Sequence, residues 1–146
     1  KRLAAHLADH GADEEARHAA AAVMRYFDTS ELQHHADEEK DLFPALIESM
    51  AGSDAVCLRN LTEGLSADHR ILEADWRRLR KILEQVAAGV PATLPRGEVE
   101  AFADLYERHL QREEDELLPM AARLLSDDDL AHIGRAMRER RGIPAV

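Results

Sequence analysis

The chain has 146 residues, the size of one domain, and that length can bury an apolar core without disulfide help. A formal charge of −10 and a pI near 5.2 argue against binding the phosphate backbone of a nucleic acid, which needs a basic stripe. No apolar run approaches a membrane span and no signal peptide is visible, while a single cysteine excludes an internal disulfide, so a cytoplasmic protein is expected.

Ala, Leu, Glu and Arg dominate and aromatic residues make up 4%, which predicts an all-α fold. Lys1 to His10 reads as the end of a helix, with Gly11 suited to cap it. Asp13-Glu14-Glu15 place negative charge at the start of a second helix, which continues to about Phe43 before Pro44 kinks or interrupts it. Gly52-Ser53-Asp54 is a break with an N-cap. The third helix runs to about Ala88, with Gly64 as its weak point and Cys57 as a small buried apolar residue. Gly89-Val90-Pro91 through Pro95-Arg96-Gly97 is a loop. The fourth helix spans about Glu98 to Leu118, where Pro119 interrupts it. Ser126-Asp127-Asp128-Asp129 then caps a short last helix ending near Gly142-Ile143-Pro144.

Short connections between long helices predict an up-down-up-down four-helix bundle with a short extra C-terminal helix, as a single domain over residues 1–146. Leu72, Trp76, Leu79 and Leu83 recur at helical spacing, as do Phe102, Leu105 and Tyr106, and these are expected core stripes. The basic runs Arg77 to Lys81 and Arg138 to Arg141 read as solvated helix surface or a helix C-terminus.

The chain repeats itself. The segment from His34 to Pro44 and that from His109 to Pro119 share the pattern H-x-x-x-E-E-x-x-L-[FL]-P. His34 thus aligns with His109, and Glu38 with Glu113. A histidine followed four residues later by a glutamate occurs five times, at His10, His34, His35, His69 and His109, where composition alone gives about one. Positions i and i+4 share a helix face, so an imidazole and a carboxylate can converge on one cation. The pairs His34/Glu38, His69/Glu73 and His109/Glu113 fall on three long helices. Buried together they would be costly without a metal to neutralise them. Gly11 breaks the His10/Glu14 pair. His35/Glu39 reads as a solvated pair, since Leu110 replaces the second histidine in the repeat. His6, His18 and His132 read as surface or structural residues.

These segments resemble the hemerythrin HHE cation-binding family: Tyr26 to Leu46 with His34-His35-x-x-Glu38-Glu39 and Leu42-Phe43-Pro44, then Asp68-His69, then His109-x-x-x-Glu113. The resemblance implies a four-helix bundle around a di-iron centre that binds dioxygen or senses oxygen, iron or redox state. It implies His34, Glu38, His69, His109 and Glu113 as ligands, with Glu38 and Glu113 bridging. Glu73 stands where the family has another histidine, which makes the site richer in carboxylate. The family also takes a histidine from early in its first helix, and the repeat places that position before Lys1, so one ligand is expected to be missing from the chain as written.

Three functions compete on the sequence. One is a di-iron protein binding dioxygen or a related small diatomic or peroxide ligand, in which Tyr106 is either a core aromatic or a hydrogen-bonding neighbour of the metals. Another is a di-iron oxidase or peroxidase, although no organic substrate pocket is marked and the chain is not read as an enzyme. The third is a structural or regulatory bundle that has lost its metal. Zinc is the alternative metal, since it accepts the same ligands.

Overall fold

A computed structural model describes residues 1–49 and 54–143, and every regular element among them is helical. In chain order these are α1 (Arg2–His10), α2 (Glu14–Arg25), the π-helical segment π1 (Tyr26–Glu31), α3 (Leu32–Asp37), π2 (Glu38–Leu42) and α4 (Phe43–Ser49). There follow α5 (Asp54–Ala87), α6 (Arg96–Arg112), π3 (Glu113–Leu117), α7 (Leu118–Leu124) and α8 (Asp127–Arg140). The expected break at Gly52-Ser53 and the end at Pro144 lie outside the described residues.

Local chemistry sets the helix ends. Gly11 takes φ +69° after α1, a conformation that glycine adopts without Cβ strain. Asp13 accepts a hydrogen bond from the Ala16 amide and caps α2, and His6 Nε2 lies 2.8 Å from the same Asp13 oxygen. Gly89, at φ +78°, turns the chain out of α5. Ser126 and Asp129 form a reciprocal capping box at α8.

The α-helix is interrupted just before Pro44 and just before Pro119, as expected. Each lies in the first turn of a new α segment, where its fixed φ fits and no intrahelical partner is needed. The strain is taken up just before, where π2 and π3 widen the turn: the Phe43 and Leu118 amides donate to the Glu38 and Glu113 carbonyls, five residues back. The wider turn lets the carbonyl four residues before the proline clear its ring. Both copies of the repeat therefore change from α to π at the aligned glutamate.

The chain divides into two compact units. One comprises Lys1–Ser30 and His69–Arg108. Its core holds Leu72, Trp76, Leu79, Leu83 and Phe102, with the fully buried Ala16 and Ala20 of α2 against them. Small residues at those positions allow close helix approach. Phe27 stacks on Trp76 at a centroid distance of 4.7 Å. Asp28 accepts from Trp76 Nε1 at 3.0 Å and from Arg80 Nε at 2.8 Å, and the guanidinium holds its carboxyl below the usual range. The expected stripe of the third helix is thus core.

The other unit comprises Glu31–Asp68 and His109–Val146. Its core includes Phe43, Leu46, Leu58, Leu65, Leu117 and Ile133. Burying a side chain of this size contributes about 1.5–3 kcal/mol each. One expectation fails in this unit. Cys57 is exposed, because it lies off the apolar stripe of Leu58, Leu61 and Leu65. The basic run Arg138 to Arg141 falls at a helix C-terminus, one of its two expected settings, and there Arg140 and Arg141 both grip Asp37, which is 7% exposed along its side chain, while Arg140 also holds Asp41. The helix runs unbroken through Gly64, whose missing Cβ leaves room for the Arg112 guanidinium.

Candidate metal centre

The aligned glutamates of the repeat come together. Glu38, at the start of π2, and Glu113, at the start of π3, are both buried, and so is His109 at the end of α6. One ligand atom from each of Glu38, His109 and Glu113 lies within 4.8 Å of the other two. His109 Nε2 stands 2.7 Å from Glu113 Oε1. Its other nitrogen, Nδ1, lies 3.1 Å from Asp68 Oδ2 on α5. A carboxylate on Nδ1 fixes the ring orientation and leaves Nε2 toward the glutamates, the usual setting of a metal-binding histidine.

His34 closes the rim. Its Nε2 lies 2.6 Å from Glu38 Oε1 and 3.8 Å from Glu113 Oε2, while its side chain is 46% exposed. The hydrogen bonds of Glu113 and Glu38 push the His34 imidazole up to about 10. For His109 burial acts downward, but the Glu113 and Asp68 carboxylates prevail and raise it. Burial alone would raise Glu113, yet its bonds to His109, His34 and Glu38 hold it well below the usual carboxylate range. The site therefore gathers positive charge around two buried carboxylates.

His69, the residue after Asp68 on α5, is fully buried. Glu73 is one-fifth exposed along its side chain, and Arg70 Nη1 lies 3.2 Å from its Oε2. His35 departs from the reading as a solvated pair with Glu39. It is buried, and its Nε2 lies 3.0 Å from Glu31 Oε1, a carboxylate four residues before it. The preceding π1 ends at Glu31 and turns that carboxylate inward. Asp68 and Glu31 were not among the expected site residues. Only the reversed Glu-x-x-x-His spacing at Glu31 could have marked one of them. Tyr106 packs edge-on to Phe27, and its hydroxyl lies 3.3 Å from that of Tyr26, which fits a core aromatic.

No helix among the described residues is long and apolar enough to cross a membrane. The family model described as "Hemerythrin HHE cation binding domain" matches residues 1–121. A curated protein of Haemophilus influenzae (strain ATCC 51907 / DSM 11121 / KW20 / Rd), itself described as uncharacterized, is 28% identical over 138 residues, covering 94% of this chain and 77% of its own length.

Proposed function

Because the chain belongs to the hemerythrin HHE cation-binding family, we propose that Glu38, His69, His109 and Glu113 are the heart of a di-iron site in an up-down-up-down four-helix bundle. His34 is the further ligand at its rim, and Glu73 is a candidate once it parts from Arg70. The chain then acts as one metal-binding domain, with α8 as the extra helix. The observation that carries this reading is the buried Glu38–His109–Glu113 cluster, whose carboxylates call for a compensating cation. The donor set fits: imidazole nitrogen and carboxylate oxygen suit iron and also zinc.

Bound iron would supply electron exchange with dioxygen or a related small ligand, in carriage or in oxygen, iron or redox sensing. The residues do the rest. Asp68 holds the His109 Nδ1 proton and so presents Nε2. His34 carries a proton between Glu38 and Glu113 until a metal displaces it. A lone exposed thiol suits a reducing cytoplasm.

Elemental analysis with an optical spectrum in air and after reduction tests the proposal. The expected result is about two irons per chain, lost in Glu113→Ala and His34→Ala. Zinc alone, or no metal, would sink the di-iron reading. Steady turnover of added peroxide would move the protein from binder to enzyme.

A further inference from the structure

Helix α8 is a polar helix, rich in Asp and Arg, that starts beyond residue 121, where the family match ends. Ile133 is its one buried residue, and Leu130 is half exposed. Apolar burial therefore holds it weakly. Charge holds it instead, at its last turn. Arg140 Nη1 donates to Asp37 Oδ1 at 2.6 Å and Arg141 Nη2 to Asp37 Oδ2 at 2.7 Å, while Arg140 Nη2 reaches Asp41 Oδ2 at 2.7 Å. Asp37 is the neighbour of Glu38, and Asp41 lies within π2. The other end of α8 is self-contained, since its capping box satisfies its own amides, and the residue before it, Leu125, has extended backbone.

Between α8 and the repeat segments is a chamber of about 210 Å³. His34, Glu38 and Glu113 form one side of it, so it opens directly on the candidate metal ligands. Leu42, Leu117 and Leu118 form its apolar side, and Ile133 and Met137 of α8 line it as well, leaving it partly open. A cavity of roughly 150 Å³ accommodates benzene, so this one has room for small molecules. Its apolar walls favour small uncharged molecules, since the carboxylates at its edge are already matched by Arg140, Arg141 and His34.

We propose that this chamber receives small uncharged molecules for the metal site, and that α8 is its movable wall, latched by Arg140 and Arg141 on Asp37 and Asp41. The proposal rests on the metal reading above, and its test separates the two. In full-length protein carrying Cys57→Ser, a Leu117→Cys change puts a thiol in the chamber wall, and a Leu83→Cys change puts one in the core of the other unit. Thiol labelling rates are compared with and without Arg140→Gln and Arg141→Gln. Losing these charge-assisted bonds is expected to speed labelling at position 117 by about tenfold or more and to leave position 83 unchanged. Hydrogen exchange of the α8 amides in the chain without engineered thiols should rise in step. Equal labelling at position 117, or equal acceleration at both positions, would overturn the gate. In iron-loaded protein the same changes should speed iron loss to a chelator; unchanged loss alongside fast labelling would show that the wall does not serve the metal site. A protein without iron would fail in elemental analysis, apart from any labelling result.

Discussion

His109 lies between two carboxylates that draw on its ring from opposite ends, Asp68 at Nδ1 and Glu113 at Nε2. Asp68→Asn keeps the shape and removes the charge, so metal affinity should fall about tenfold to a hundredfold while the fold survives. Competition titration with a chromogenic chelator measures it, and an unchanged affinity would remove Asp68 from the site. His34 makes a pH prediction. Its folded value is raised from the ordinary 6.5 to about 10, so the folded metal-free protein keeps a proton that the unfolded chain has given up. Its contribution is complete below pH 6.5 and lost as pH climbs toward 10. Thermal midpoints of metal-free protein should therefore fall across that window, and His34→Gln should flatten the fall. The repeat makes Glu38 and Glu113 legible from sequence, because two copies of one pattern single them out among 29 acidic residues. It could not reveal Asp68, whose partner His109 lies 41 positions away. It also misread His35 as solvated, whereas that ring is buried beside the upstream Glu31.

At the scale of elements, periodicity and turn chemistry placed the helices and most of their ends. The interruptions expected at Pro44 and Pro119 take the form of a π turn just before each proline, which absorbs the clash that an α turn would meet. Gly64, the expected weak point of the third helix, lies inside an unbroken α5. A Cβ there would meet the tip of the Arg112 side chain at 2.8 Å, and a flexible guanidinium can step aside. Gly64→Ala should then stabilise the protein by up to about 1 kcal/mol through helix propensity. Urea unfolding would show it, and a destabilised variant would mean that the Arg112 packing matters more than backbone entropy. The role of α8 was hidden because a run of arginines looks alike whether it faces water or buried aspartates.

For the whole molecule, α5 and α6 each supply residues to both compact units. Breaking either helix midway would forfeit its backbone hydrogen bonds, and a single cooperative unfolding transition is expected. Metal that binds the folded chain alone should move that transition up, by about 2.7 kcal/mol at a hundredfold excess over the dissociation constant. Trp76 makes this measurable. It is the sole tryptophan, stacked on Phe27 and hydrogen-bonded to Asp28. Its emission is therefore a private signal from one unit, while circular dichroism averages over every helix. Coincident curves from the two signals would mean that a single optical channel suffices to follow the entire chain. Separated curves would mean that the light from this one indole describes half a molecule.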